Sequence, residues 1–480
     1  MTDGIAETRK NVTMRCGGAL YSRSPDALDD SEFTETRFPP LRWNGSCTAV
    51  PEPGGRQCNC HPNYKKLKHC IVWSRKRLDI GWSDLLFGAG RVVVPPDRTA
   101  VSRRVESLWP AADNTLACLS VRSGFDLLLA ALDLPRGSEV LVSAITIPDM
   151  IRIIEHHGLL PVPVDLDPQR MTPPEEAWRR AITPATKLIL VAHLFGGRTE
   201  IGPLLDLVRQ HNLRVVEDCA QAFAGVEYEG DPRADASMFS FGTIKNNTAL
   251  GGAILRVRDG ELLARMRTAQ ESYPLQPRWP YFKRLAKYAM LKALAARPIC
   301  AMFVHVCRAI GCDYDRIVNA AARGFPGDDF FAQIRRRPSS PLLAMLERRM
   351  KHHDAARSDR HVVKGRALAE SLGNVMSCPG TAVAPNTYWV FPVLVGQPAE
   401  LVEHLTRAGF DATQGQSLCV VAPPADRVGQ KAAAAENLLA NVVFLPFYPE
   451  LPPGESRRLA ETVLAFYTTK LRRNGNGNGR

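Results

Sequence analysis

KLILVAHLFGGRTEIGPLLDLVRQHNLRVVEDCAQAFAGVEYEGDPRADASMFSFG, residues 187–242, decides the fold. KLILVAHLFG, LRVVEDCAQ and ASMFSFG are short apolar, β-branched runs closed by small or polar residues. EIGPLLDLVRQHN, between the first two, carries apolar residues at helical spacing. The alternation extends upstream, where LACLSVRSG, EVLVSAITI and LLPVPVDLD read as strands and FDLLLAALDL and IRIIEHHG as helices. Strands alternating with helices predict an α/β fold, a parallel sheet covered on both faces. Ligands of such sheets lie beyond the carboxyl ends of the strands.

Chemistry-bearing residues gather at those ends. The strand expected to finish near Val121 is followed by Arg122, Ser123, Gly124 and Phe125 and then by a helix, whose free N–H groups and dipole would seat a phosphate. Asp218 follows LRVVE, with Gln221 three residues on. Ser240 follows ASMF, and Lys245 comes five residues later, inside FSFGTIKNNTALGG (239–252). Most lysines are solvated and structural. A phosphate seat, a carboxylate and a lysine at the ends of separate strands instead suit pyridoxal phosphate chemistry, in which lysine bonds the cofactor and aspartate pairs with the pyridinium nitrogen.

At these residues the chain resembles the DegT/DnrJ/EryC1/StrS aminotransferases. The resemblance runs through GSEVLVSAITI, PVPVDLDPQRMT, AITPATKLILVAHLFGG, VVEDCAQAFAG and FSFGTIKNN followed by GGAI, and resumes in LTRAGFDAT and LPFYPELPPGE. It implies a fold type I architecture: a large domain with a mixed, mainly parallel seven-stranded sheet, a smaller α+β C-terminal domain, and a homodimer with active sites at the subunit interface. It also implies that Lys245 is the covalent lysine, Asp218 the pyridine-nitrogen partner, Gln221 a cofactor contact and Ser240 a phosphate ligand, with Ser123 and Gly124 in the phosphate-binding turn. His193, in AHLFG, has two readings, a supporting role near the cofactor and a hydrogen-bonded core histidine. Ile147 stands where the family has an aromatic that stacks on the ring. Phe125 replaces a hydroxyl residue, and Arg335, in QIRRRPSS, is the nearest candidate for the asparagine that the family sends across the dimer to the phosphate. The stretch NNTALGG also departs from the usual form.

The 480 residues exceed what one core supports, so several packed units are expected. The boundaries read as an irregular, poorly ordered extension over 1–80, a large domain over 81–272, a basic helical insert over 273–330, a small domain with its connecting helix over 331–470 and a flexible tail over 471–480. A formal charge of +12 without zinc-finger, zipper or RNP-type motifs does not point to nucleic acid. The start, MTDGIAETRKNV, lacks an apolar signal core, and no run of about 18 apolar residues occurs, so the expected location is cytoplasmic. Cys58, Cys60, His61, His69 and Cys70 do not follow a usual zinc spacing, and no metal site is expected. From Arg278 to Cys312 there are seven basic residues and no acidic one; Lys283, Arg284 and Lys287 are expected on one side of a helix. The segment reads either as an insert packed on its own protein or as a peripheral contact with an anionic membrane at the inner surface.

Three functions follow from this reading. The favoured one is transfer of an amino group from a donor such as glutamate to a keto sugar nucleotide or similar carbonyl acceptor. The others are a related enzyme acting on a lipid-linked acceptor at the membrane and a non-catalytic regulatory relative. Retention of Lys245, Asp218, Gln221 and Ser240 together favours chemistry.

Overall fold

A computed structural model describes residues 73–475 except 76, 297–298, 300–301, 303–305, 307–328 and 416. The cysteine and histidine cluster at 58–70 lies outside the described residues.

The sheet has seven strands: β1 (Thr115–Cys118), β2 (Glu139–Ser143), β4 (Leu160–Val164), β5 (Thr186–Ala192), β6 (Arg214–Asp218), β7 (Ala236–Ser240) and β8 (Ala253–Val257), in the order β1-β8-β7-β6-β5-β2-β4. β8 runs antiparallel to both neighbours and the other pairings are parallel, the mixed, mainly parallel sheet that the family resemblance implies. β3 (Ile145–Thr146) lies outside this sheet.

Alternation along the strands divides the core. Val140 and Val142 of β2, with Leu188 and Leu190 of β5, join one cluster; Leu141, Ile189 and Val191 join another on the opposite face. The first face is covered by α3 (Val121–Leu132), α4 (Pro148–His156) and α7 (Gly260–Glu271). The second is covered by α5 (Glu175–Ala181) and α6 (Gly202–Gln210). Beside them, α1 (Trp82–Val93), α2 (Arg98–Glu106), α8 (Arg278–Leu294) and α10 (Ser340–Lys351) pack together. The short α9 (Phe330–Ile334) precedes α10.

The C-terminal part is built on a two-stranded antiparallel sheet of β9 (Phe391–Leu394) and β11 (Val442–Leu445), with α11 (Ala355–Gly373), α12 (Pro398–Arg407) and α14 (Pro453–Gly475) around it; α13 (Ala433–Asn441) leads into β11. Two segments tie it to the large domain. β10 (Cys419–Val420) pairs with β3, and the loop 385–387 bonds the 196–198 backbone through Thr387 N–H to the Gly196 carbonyl (2.9 Å) and Arg198 N–H to the Pro385 carbonyl (2.9 Å). Gly196 has φ +103°, and a Cβ there would lie 2.6 Å from the Trp389 nitrogen, so this approach needs glycine.

Two expected boundaries are corrected. The extension does not stay loose to residue 80: Trp73 is buried in the small-domain core and Arg75 makes a two-pronged bond to Asp411, because an aromatic and a matched charge pair dock this short stretch. The flexible tail does not begin at 471, since α14 continues to Gly475.

Candidate active site

The strand ends bring Asp218, Ser240 and Lys245 to one edge of the sheet. Asp218 is the last residue of β6 and Ser240 the last of β7, on parallel neighbours, and both are partly accessible. Lys245 follows in a turn that the rest of 239–252 holds rigidly. The Thr248 hydroxyl donates to the Phe241 and Gly242 carbonyls (3.2 and 2.7 Å) and accepts from Leu250 N–H (2.9 Å); Asn247 N–H is bound by Asp79 (2.6 Å). The divergent NNTALGG is therefore what shapes the lysine turn, since none of these bonds uses the lysine side chain.

Burial strips water from the Lys245 ammonium and pulls its pKa down to about 8; Asp218 opposes that shift and Arg122 adds to it. Asp218 is pushed up by its own burial, against the pull of Ala220 N–H, Lys245, His193 and Arg122. One carboxylate oxygen accepts from Ala220 N–H (3.0 Å), while the other has no protein hydrogen bond among the described residues. A buried, under-compensated carboxylate with an open oxygen favours a cation placed against it. These are the properties needed opposite a pyridinium nitrogen, so the residues present fit pyridoxal phosphate.

The phosphate seat shifts by several residues. The helix starts at Val121, not after Phe125, because the Ser120 side chain caps it: its hydroxyl takes the Ser123 amide (3.1 Å) and bonds the Ser123 hydroxyl (2.9 Å), and Gly124 N–H closes the first turn on the Ser120 carbonyl (3.0 Å). The Ser123 and Gly124 amides are thus used within the helix, and Val121 and Arg122 supply the first-turn N–H groups that have no intrahelical acceptor. Gly124 serves packing, since a Cβ there would sit 2.4 Å from a Leu255 methyl. Phe125 is fully buried in the core cluster under the sheet, so a core ring stands where the family has a hydroxyl. Ile147 caps α4, half-buried against the same core.

His193 is fully buried directly after β5. Its Nδ1 accepts from Thr199 N–H (3.0 Å), so Nε2 carries the proton and donates it to Glu217 (2.9 Å). Both ring nitrogens are used within the protein, and the histidine fixes the 193–199 loop. Gln221 fixes the same loop by accepting from Phe195 N–H (2.8 Å). His193, Glu217 and Cys219 offer donor atoms within 4.8 Å of one another, but Glu217 also accepts from Ser237 and Asp231, and burial pushes the Cys219 thiol up. This cluster is a hydrogen-bonded core, not an open metal site.

Arg335 is engaged within its own chain. Both arms of its guanidinium grip the fully buried Asp126 of its own chain (2.9 and 2.9 Å), joined by His157 (3.0 Å) and Tyr273 (3.4 Å). Burial alone would raise Asp126, but the bonds from His157 and Arg335 outweigh it and hold the carboxyl at about 2. Arg335→Ala should therefore lower stability by about 2 kcal/mol at neutral pH, below the full cost of breaking a buried pair because the arginine is one-third exposed. Asp126 has a depressed pKa in the folded state, so this loss should be complete above the ordinary carboxylate range and fade as pH falls toward about 2, readable by urea unfolding at each pH.

Sequence reasoning placed Arg122 in the phosphate seat but not beside the lysine, and it missed Trp389 altogether. Arg122 enters the field of Lys245 and Asp218 while its guanidinium pairs with Asp149. Trp389 of the small domain lies over the lysine, its ring centre 4.2 Å from Nζ and its Nε1–H on the Ile244 carbonyl (3.1 Å). Arg122 stood within the predicted phosphate seat, but nothing local in NTYWVF marks its tryptophan.

Residues 107–279 match the model of the DegT/DnrJ/EryC1/StrS aminotransferase family. Over 117 residues the chain is 36% identical to GDP-perosamine synthase of Caulobacter vibrioides, covering 24% of this chain and 31% of that protein. Over 158 residues it is 32% identical to UDP-4-amino-4-deoxy-L-arabinose–oxoglutarate aminotransferase of Shewanella sediminis, covering 32% and 40%. The matches thus span well under half the length of these relatives. Among solved structures, PseC of Helicobacter pylori, an aminotransferase involved in pseudoaminic acid biosynthesis, superposes with a TM-score of 0.59 at 16% identity over 83% of this chain and 99% of that one. NtdA of Bacillus subtilis with bound PMP gives 0.60 at 16% over 84% and 89%. The fold is shared with both.

Proposed function

We propose that this chain, whose residues 107–279 belong to the DegT/DnrJ/EryC1/StrS aminotransferase family, binds pyridoxal phosphate and moves an amino group from an amino-acid donor to a keto sugar nucleotide or similar carbonyl acceptor. The observation that carries this reading is the closeness of the Lys245 amine, in the turn after β7, to the under-compensated Asp218 carboxylate at the end of the neighbouring β6, each in the other's electrostatic field. The nucleotide-sugar names of the relatives support the acceptor class, and the relative named for oxoglutarate supports glutamate as donor. The same reading pairs two identical chains.

When bound, the cofactor withdraws electrons from the carbon that bears the amine. Asp218 would face the ring nitrogen with its open oxygen and balance a positive charge there. Ser240 and the first-turn N–H groups of α3 would hold the phosphate. Lys245 would hold the cofactor covalently and carry a proton at the reacting carbon; a pKa near 8 leaves a usable share of free amine at neutral pH. Trp389 covers the lysine and limits water.

Purified protein given pyridoxal phosphate and reduced with borohydride should carry a pyridoxyl mass increment on the Lys245 peptide, and L-glutamate should yield 2-oxoglutarate in the half-reaction. Because only the free amine attacks, the rate of covalent uptake should rise about tenfold per pH unit at low pH and level off above about 8. An unmodified Lys245 peptide would refute the reading.

A further inference from the structure

We propose that the outward face of α8, with the helical residues after it, docks on an anionic phospholipid surface. Tyr281, Leu285 and Tyr288 bury one face of α8. Arg284, expected beside Lys283 and Lys287, instead turns inward and donates to the Leu250 carbonyl (3.0 Å), next to the lysine turn. Arg278 and Pro280 are exposed at its start, and along its length the exposed residues Trp279, Lys283, Ala286, Met290 and Ala293 follow the spacing that keeps residues on one helical stripe. Trp279 and Met290 are 55% and 58% exposed. Beyond α8 the helical residues Ile299, Met302 and Val306 are exposed as well, again three and four apart, with Met302 at 63%.

Single exposed apolar side chains are ordinary, but successive ones on helical stripes mark an interaction surface. The charge selects the occupant. With Arg284 turned inward, Arg278 and Lys283 of α8 are exposed and Lys287 and Lys292 partly so, and residues 278–312 contain no acidic side chain, so a second copy meeting this face by two-fold symmetry would set like charges against each other. A bilayer with anionic headgroups satisfies both features, taking the apolar stripe into the interface and pairing the lysines with phosphates. Among the described residues no helix is long and apolar enough to cross a membrane, so the contact is peripheral.

Co-sedimentation of the full chain with phosphatidylcholine vesicles, with and without phosphatidylglycerol, tests this apart from any enzymatic activity. Binding to the anionic vesicles should exceed binding to neutral ones by at least about tenfold at low salt and fall as salt screens the headgroups. The double variant Trp279→Glu, Met290→Glu should lose about tenfold of that binding at an unchanged melting temperature, since both side chains are exposed. Lys283→Glu, also exposed, gives an independent reading. Absence of wild-type binding, equal binding by the variants, or a change in oligomeric state of the double variant would overturn the proposal.

Discussion

Lys245→Ala should leave a folded chain whose half-reaction with glutamate is at least about a thousand-fold slower, because one substitution removes both the cofactor's anchor and the proton carrier. Folding should survive for a structural reason. The turn is fixed by the Thr248 hydroxyl, by Asn247 N–H on Asp79 and by Ala249 N–H on the Phe241 carbonyl (3.1 Å). Among the described residues the lysine amine contributes a contact with the Trp389 ring and an attraction to Asp218, and none of the bonds that fix the turn. Melting temperature and circular dichroism should therefore match wild type, and the borohydride-fixed mass increment should vanish from the 245 peptide. A variant that still transaminates at a comparable rate would remove Lys245 from the chemistry.

Asp218→Asn should cost about a hundredfold to a thousandfold in turnover while making the cofactor-free chain slightly more stable. The amide keeps the acceptor for Ala220 N–H but cannot balance a ring cation. The stability gain has a definite pH dependence. Burial raises the Asp218 pKa in the folded state, so its charge is a cost that is absent below the ordinary carboxylate range and complete once pH exceeds the raised value. Unfolding free energies of wild type and variant should converge in acid and separate toward neutrality. A variant that is both active and less stable would show that Asp218 serves packing and not the cofactor.

What could be read in advance follows physical range. Asp218, Ser240 and Lys245 were legible because a strand's end is marked locally, by the switch from β-branched to small and polar residues, and parallel strands carry their ends to one edge. The register of α3 was misjudged because LACLSVRSG reads on as strand; what stops it is the Ser120 cap, which commits the Ser123 and Gly124 amides and leaves Phe125 facing the core. The Arg335–Asp126 pairing was not legible because the two residues are 209 apart in sequence, and no local pattern announces it. Arg284 shows the same limit: helical periodicity grouped it with Lys283 and Lys287, yet it turns inward to a carbonyl of the glycine-rich loop.

By itself the sequence determined the α/β class and the gathering of the lysine and the aspartate beyond the strand ends, since apolar periodicity and strand termination act over a few residues; the seven-strand count came with the family resemblance. The tertiary structure alone decided that Trp389 covers the lysine, that Gly196 admits the small domain, that Arg335 serves Asp126 and that α8 keeps an apolar stripe outward. Each of these depends on two surfaces meeting across a long loop, and that choice is made by packing and desolvation, which no single stretch of chain encodes.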